Sequence, residues 1–350
     1  MEGGESDDDQ VMSEVHLGCP PNFSGPYVTH FTFSLPPNKA DLIGTKIISL
    51  DEDGDLALAR RKGDQNHAYD TGCQSFKLDD DGDLVLSRKR KSRVARSICK
   101  LTVQHSITSS LPNVGLQVWM AELLLSDYLL HRSFISSSFD DITALELGAG
   151  TGLAGIVLAR IAKTVFLTDY GNEILDNCAK NVRLSSSFSE LNEASIHVRE
   201  LNWKESWPPH TETIQKSKYS WTASEVAEAE RATLILAADV IYSDDLTESL
   251  FNILEKLMSR GSEKVLYLAL EKRYNFSLDD LDVVANGYAK FRSFCKDDEE
   301  CRMPDDVLLP CFVGEQIDIF KIPQYIREYE RGRDLELWRI RYCKKRSPLV

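Results

Sequence analysis

This 350-residue chain has no C-x-x-C pair and no histidine after His210, so its eight cysteines lack the paired Cys/His spacing of a zinc site. We therefore expect reduced thiols and no metal. No apolar run approaches the roughly 18 residues that span a bilayer. The first ten residues have neither a basic start nor an apolar core, and we expect no secretory signal and a soluble, intracellular protein.

What the chain does have is an excess of acid, with 41 Lys and Arg against 55 Asp and Glu and a net charge of −14. Such a molecule repels phosphate backbones and attracts basic partners, so we do not expect it to bind nucleic acid directly. Hydrophobic residues at 42% and charged residues at 27% fit a globular protein.

The first hundred residues divide into two regions. Residues 1–35 are acidic and then rich in Pro, Gly and Ser, which predicts that they are mostly disordered. In residues 36–100 the segment Leu50–Lys62 returns as Leu78–Arg90, and the Asp-Gly pair of each copy predicts a β-hairpin. A calcium loop fits less well, because both copies lack its central glycine and its final glutamate.

The second copy runs into a basic segment, Arg88–Arg93. Such a segment is typical of a nuclear import signal or of a solvated face that balances nearby acid. We expect a nuclear protein that is also present in the cytoplasm.

The strongest signal is a buried strand that meets glycines at 148, 150 and 152 and continues into a predicted helix. Glycines let the backbone approach a ligand closely, and a helix N-terminus adds oriented N–H groups. This pattern fits either a dinucleotide or S-adenosylmethionine. Glu146 favours the latter, because a carboxylate accepts a hydrogen bond from a cationic amine and repels a pyrophosphate.

Polar and aromatic residues follow later predicted strands. An acid at Asp169 suits ribose hydroxyls, and the flat indole of Trp203 suits a purine. Asp239 ends an apolar strand, where ligands bind in open α/β sheets, and Tyr242 suits the wall of a channel for a lysine stem. Each residue alone also fits an ordinary cap or core position, but their order and spacing together favour a site.

Three motifs carry a family resemblance: E-L-G-A-G-T-G-L-A-G-I at 146–156, T-D-Y at 168–170 and A-D-V-I-Y at 238–242. They resemble the family-16 seven-β-strand protein-lysine methyltransferases over roughly residues 111–345. The resemblance implies an α/β fold, with a doubly wound, mostly parallel, seven-stranded Rossmann-like sheet. Residues 101–350 would form this S-adenosylmethionine-dependent domain, after a small β-hairpin region.

The resemblance also implies a reaction, transfer of a methyl group from S-adenosylmethionine to a lysine ε-amine of a protein. Asp239 and Tyr242 would be catalytic, with Asp239 holding the amine by a hydrogen bond. Besides Glu146, the cofactor would contact Trp119, Gly148, Ala149, Gly150, Asp169, Trp203 and Ala238. The implied partners are a nuclear, nucleic-acid-binding protein substrate and chaperones of the Hsp70 and Hsp90 classes.

Three other functions are compatible with parts of the pattern. Methylation of nucleic acid or of a small molecule is the nearest, although D-V-I-Y lacks the two prolines of enzymes that act on base amines. The fold could also serve as a non-catalytic module that binds chaperones. A nicotinamide oxidoreductase is more distant, since no Tyr-x-x-x-Lys is placed for hydride transfer.

The remaining patterns complete the predicted architecture. Asp245–Met258 and Leu278–Ala289 predict helices, while Ile317–Phe320 and Leu335–Ile340 predict closing antiparallel strands. Residues 204–231 are polar and contain Pro208-Pro209, which predicts a loop insertion on the substrate side.

Overall fold

The computed structural model describes residues 10–15, 25–35, 97–185, 196–209, 217–277, 282–297 and 312–343. The two predicted repeat hairpins and the basic segment at 88–93 lie outside these residues. No helix within the described ranges is both long and apolar enough to cross a bilayer. The same residues contain no group of three or more His, Cys, Asp or Glu side chains arranged to hold a metal.

Four strands precede the main domain, and they pair across long stretches of sequence. They are β1 (Gln10–Met12), β2 (Tyr27–Leu35), β3 (Ser97–His105) and β4 (Thr108–Ser110). β1 pairs with β4 and β2 pairs with β3, both antiparallel. The prediction that residues 1–35 are mostly disordered is therefore wrong for β1 and β2.

The rest of the described chain alternates between helices and strands as far as Glu271, and strands predominate after it. In order, the elements are α1 (Met120–Ile135), β5 (Thr143–Leu147), α2 (Leu153–Leu158), β6 (Thr164–Asp169), α3 (Asn172–Ser185), β7 (Ile196–Glu200), α4 (Ala223–Glu230), β8 (Leu234–Ala238), α5 (Asp244–Met258), β9 (Val265–Glu271), β10 (Asn275–Ser277), β11 (Asp282–Val284), α6 (Asn286–Phe294), β12 (Cys295–Lys296), β13 (Phe312–Ile317) and β14 (Leu335–Tyr342).

One central sheet joins eight of these strands in the order β12-β13-β14-β9-β8-β5-β6-β7. Strands β5 to β9 run parallel, and β14 is antiparallel to both of its neighbours. The predicted seven-stranded, mostly parallel sheet is confirmed, with the two-residue β12 as an added edge. Strands β5 and β8 are neighbours although β6 and β7 lie between them in sequence. Such a reversal of strand order opens a crevice at the carboxyl ends of the strands.

Helices cover both faces of this sheet, as a doubly wound fold requires. The strands are apolar along nearly their whole length, because parallel strands are buried on both sides. One core includes residues of α1, α2 and α3, and the other includes residues of α4, α5 and α6. The β2–β3 pair adds to the first core through Phe31 and Leu101. It is also tied to α3, where the amide nitrogen of Gln104 donates to Asn181 Oδ1 at 2.7 Å.

Three local predictions differ from the structure. The predicted helix Leu278–Ala289 is shifted, since β10 and β11 pair as a hairpin and α6 starts only at Asn286. The predicted strand at Ile317–Phe320 ends at Ile317, because Asp318 caps a 3-10 turn by accepting a hydrogen bond from the Phe320 amide at 3.1 Å.

The predicted loop insertion at 204–231 is the third difference, because it contains the crossover helix α4. A capping box starts this helix: the Thr222 side chain accepts from the Glu225 amide, and the Glu225 carboxylate accepts from the Thr222 amide. Val226 and Ala229 then pack onto the sheet. The T-x-x-E spacing was the signal in the sequence that marked this helix.

Candidate active site

A cavity of about 640 Å³ opens at the carboxyl ends of β5, β6 and β8. We call it the cofactor cavity. All ten residues predicted for the site line it, although they come from five separate stretches of sequence: Trp119, Glu146, Gly148, Ala149, Gly150, Asp169, Trp203, Ala238, Asp239 and Tyr242. The structure thus brings the whole predicted set together.

The floor of the cofactor cavity is the turn that follows β5. Gly148 and Gly150 have φ of +64° and +51°, a region that side chains other than glycine rarely adopt. A Cβ atom on Gly148 would lie 2.7 Å from Val240 Cγ1 and 3.2 Å from the Trp203 ring. Only glycine therefore keeps this part of the cavity open.

Asp169 fixes the same turn from the neighbouring strand. Its Oδ2 accepts a hydrogen bond from the Gly150 amide and its Oδ1 accepts one from the Tyr170 amide, both at 2.7 Å. Burial raises the pKa of Asp169, although the two amides lower it. A carboxylate oxygen has a second lone pair, so the predicted contact with ribose hydroxyls remains compatible with these bonds.

Two buried carboxyl groups lie beneath the turn. Glu146 Oε2 accepts a hydrogen bond from the Gly155 amide at 2.9 Å, at the start of α2. Burial, reinforced by the charge of Glu122, raises the pKa of Glu146 well above its usual range. The predicted contact of Glu146 with a cofactor amine stays a prediction.

Glu122 was missed by the sequence reasoning. It lies in α1, is 5% exposed, and its Oε1 accepts from Thr151 Oγ1 at 2.8 Å and from the Leu153 amide at 3.0 Å. Burial raises the pKa of Glu122 to about 7, although these hydrogen bonds lower it. The signal for it in the sequence was an acid within the apolar run Ala121–Leu125.

The walls of the cofactor cavity carry two indoles and an amide. Trp119 Nε1 donates to the Val114 carbonyl at 3.2 Å, which fixes its ring beside the cavity. Trp203 Nε1 and Gln117 Oε1 are buried and have no hydrogen-bond partner among the described residues. A buried polar atom without a partner is costly, so these two atoms indicate a polar ligand.

Asp239 and Tyr242 mark the far side of the cavity. Asp239 is 8% exposed with φ of +53°, and its Oδ2 forms an ion pair with Arg273. Burial raises the pKa of Asp239, although the Arg273 charge lowers it. Tyr242 is 39% exposed, and burial of its hydroxyl raises its pKa to about 12. The sequence reasoning did not find Arg273, which lies two residues beyond β9.

Comparison with known proteins adds to this geometry. A family model described as lysine methyltransferase matches residues 100–284. Methyltransferase-like protein 22 of Mus musculus is 37% identical over 327 residues, which is 92% of this chain and 80% of the mouse protein. The chain belongs to the lysine methyltransferase family. The predicted membership is thereby confirmed.

This chain covers a smaller share of two further relatives. Methyltransferase-like protein 22 of Homo sapiens is 38% identical over 69% of this chain and 57% of the human protein. Protein N-lysine methyltransferase METTL21A of Mus musculus is 32% identical over 46% of this chain and 62% of that protein. A solved structure, a putative S-adenosylmethionine-dependent methyltransferase from Streptococcus mutans, has 9% identity and a TM-score of 0.36, covering 69% of this chain and 53% of that one.

Family membership makes this protein a methyltransferase whose cofactor is S-adenosylmethionine. The cofactor cavity fits that molecule on three grounds. A Cβ on Gly148 would fill its floor, so the backbone there leaves room for a ligand. Buried acids lie beneath it, which suits a ligand of net positive charge. Trp203 Nε1 can donate a hydrogen bond to the ligand and Gln117 Oε1 can accept one, and neither has another partner among the described residues.

Proposed function

We propose that this protein transfers a methyl group from S-adenosylmethionine to a lysine ε-amine of a nuclear, nucleic-acid-binding protein. One observation carries the choice of lysine. Asp239 reaches the cofactor cavity with one oxygen paired to Arg273 and the other buried without a side-chain partner, while the Glu271 backbone also interacts with the carboxylate. An amine N–H is the donor that such an oxygen lacks, and the apolar stem of a lysine suits the ring of Tyr242.

When bound, S-adenosylmethionine supplies a methyl group whose carbon–sulfur bond breaks as a carbon–nitrogen bond forms to the lysine, which loses a proton to solvent. Gly148 and Gly150 hold the backbone close to the cofactor, and Trp203 covers its purine. Glu122 offsets its positive charge from below when its carboxyl group is ionised, and Glu146 holds the Gly155 amide at the start of α2. Asp239 orients the amine, and loss of contact with water inside the cavity favours the neutral amine over the ammonium.

Net charge supports the proposed kind of substrate. With a net charge of −14, the protein attracts basic surfaces, and proteins that bind nucleic acid present such surfaces. The basic segment at 88–93 supports action in the nucleus with a cytoplasmic fraction. Contact with Hsp70- or Hsp90-class chaperones completes the proposal, on the family resemblance alone.

The test incubates the full-length protein with radiolabelled S-adenosylmethionine and a nuclear extract, with and without nucleases. Asp239→Asn is the variant, because it keeps the shape of the side chain while removing its charge. Calorimetry of cofactor binding is the control. We expect nuclease-resistant label in a basic protein band, lost with Asp239→Asn while cofactor affinity changes by less than about threefold.

Three results would contradict the proposal. Label confined to nucleic acid would favour the base methyltransferase instead. Cofactor binding without any labelled product would favour a non-catalytic module that binds chaperones. Unchanged turnover in Asp239→Asn would remove Asp239 from the reaction.

A further inference from the structure

A second depression adjoins the cofactor cavity on the other side of Tyr242. It measures about 370 Å³ and is lined by Glu14, Tyr242, Glu271, Arg273, Tyr274 and Tyr288, among others. We call it the acceptor recess. Tyr242 lines both spaces and Asp239 lines only the cofactor cavity, so a lysine that enters by the acceptor recess would meet Asp239 as it passes into the cofactor cavity.

Arg273 lies between the two spaces and is held by three other segments of the chain. Its guanidinium pairs with Asp239 Oδ2, lies 3.5 Å from Glu14 Oε1 and stacks 4.5 Å from the centre of the Trp119 ring. Glu271 Oε2 is a more distant neighbour at 4.0 Å. Only 30% of the side chain is exposed, so Arg273 is a fixed part of the site.

The two oxygens of Asp239 have different surroundings as a result. Oδ2 belongs to the ion pair with Arg273. Oδ1 is buried and has no hydrogen bond of normal geometry to any described residue. The other hydrogen-bonding group that acts on this carboxylate is the Glu271 backbone, so Oδ1 has no side-chain partner and keeps a lone pair for a ligand, and the ion pair fixes where it lies.

Methyl transfer needs a lysine amine in its neutral form, because an ammonium has no lone pair. An isolated carboxylate within about 4–6 Å would favour the ammonium, whereas a nearby cation disfavours it. Asp239 alone would therefore attract lysine in the wrong state. A guanidinium on Asp239 cancels that charge while leaving Oδ1 able to accept a hydrogen bond.

We propose that Arg273 is a positioning residue for methyl transfer: it neutralises Asp239 and fixes Oδ1 as the acceptor for a neutral lysine amine that enters through the acceptor recess. This inference rests on the proposed function, since it concerns the same reaction. Arg273 need not touch the amine, because it acts through Asp239.

Several other charged or titratable groups act on Asp239, and they bear on any pH dependence. Besides Arg273, they are Glu14, Glu122, Glu271 and Tyr242. Burial raises the pKa of Glu271 to about 7, and the charges of Glu14 and Asp239 add to that effect. Glu271→Gln removes the titration of Glu271, so the effect of that group on the rate can be distinguished from titration of the amine.

The test compares Arg273→Met, which removes the cation but keeps much of the length, with Arg273→Lys, which restores a cation. Arg231→Met, at an exposed position after α4, is the matched control. Single-turnover labelling, with full-length protein in saturating excess over the substrate in the extract, reports the rate of the bound complex from about pH 6.5 to 9.5, and cofactor affinity and Tm are measured alongside.

We expect the rising limb of the profile to move up by about one pH unit in Arg273→Met, so that this variant is about tenfold slower near pH 7.5 and recovers at high pH. Arg273→Lys and Arg231→Met should keep the wild-type position of that limb, and Arg273→Met should produce the same upward shift when it is made in the Glu271→Gln protein. Loss by the same factor at every pH in Arg273→Met, or no change, would overturn the inference.

A second measurement needs no methylated product and so separates this inference from the proposed function. The probe is n-butylamine, observed by saturation-transfer NMR with S-adenosylhomocysteine bound. Wild type should bind it more tightly as pH rises towards about 10, because the neutral form is preferred, while Arg273→Met should bind it equally or less tightly. The same pH dependence in both proteins would contradict the role of Arg273, even if wild type labels no protein.

Discussion

Replacing Glu122 by Gln should make the protein more stable at neutral and alkaline pH while weakening its cofactor binding. The side chain is 5% exposed and already accepts hydrogen bonds from Thr151 and Leu153 through Oε1. A glutamine oxygen can accept the same two bonds. The substitution therefore removes the titratable proton and the charge while keeping the shape and these two bonds, but it replaces one acceptor oxygen by an NH2 group, and the carboxylate also interacts with the Trp119 backbone.

The size of the effect follows from the pKa of Glu122, which burial raises from 4.5 to about 7. Below pH 4.5 the folded and unfolded chains both bind the proton, so the group costs nothing. As pH rises through 7, the folded protein must hold a buried carboxylate, and it loses about 3 kcal/mol relative to low pH. The variant avoids this loss. Glu146 adds to the difference in the same direction, because the charge of Glu122 contributes to raising the pKa of Glu146.

The assay is thermal unfolding of both proteins at intervals between about pH 5 and 8.5. At 2–4 °C per kcal/mol for a domain of this size, Glu122→Gln should gain roughly 6–12 °C over wild type by pH 8 and little at pH 5. Calorimetry at pH 8 should show about tenfold weaker binding of S-adenosylmethionine, since a charge opposite a cation is gone. Parallel plots of Tm against pH for the two proteins from pH 5 to 8.5 would refute the argument from the pKa of Glu122.

Three further variants test other parts of the structure. Gly148→Ala should weaken cofactor binding at least tenfold by calorimetry. The new Cβ would press on Val240, and the positive φ of this residue would cost about 1–2 kcal/mol for alanine. Unchanged affinity would contradict the role of the turn. Trp203→Ala should cost about 1–3 kcal/mol of cofactor affinity if the indole stacks on the purine, and an equal loss for a ligand without adenine would refute stacking. Asp127 forms an ion pair with Arg331 at 2.7 Å, and the Arg331 side chain is buried. Asp127→Ala removes the carboxylate at a cost of about 3–5 kcal/mol and should lower Tm by roughly 6–20 °C. A loss of stability below about 1 kcal/mol would contradict this account.

Much of the site was predictable because its chemistry is local in the sequence. Glycines after an apolar strand, an acid at the end of the next strand and an acid after a third are signals that each lie within a few residues of the strand they follow. A parallel sheet then brings these strand ends to a single edge. The sequence therefore predicted both the sheet and the positions that line the cofactor cavity.

What the sequence could not predict depends on contacts between distant segments. Strand β2 is stabilised by β3, more than sixty residues later, so composition alone suggested disorder where a strand forms. The role of Asp127 has the same origin, since its partners Tyr325, Ile326 and Tyr329 are far along the chain. Such pairings have no short-range signal, because the residues that meet are far apart in the sequence. Contacts in the folded state offset the entropy cost of closing the long loop between them.

The same reasoning explains why the D-x-x-Y motif does not by itself define the acceptor chemistry. Asp239 is set by the motif, but its charge is balanced by Arg273 beyond β9, which is in turn held by Trp119 before α1 and by Glu14 beside β1. Without a cation at position 273, the same aspartate would stabilise a lysine ammonium that cannot react. Proteins that share the motif but have a neutral residue at the position of Arg273 should therefore require a higher pH for the same reaction. Otherwise their counterpart of Asp239 would serve only to bind the lysine. The motif provides the acceptor oxygen, and residues from distant segments decide which form of lysine it favours.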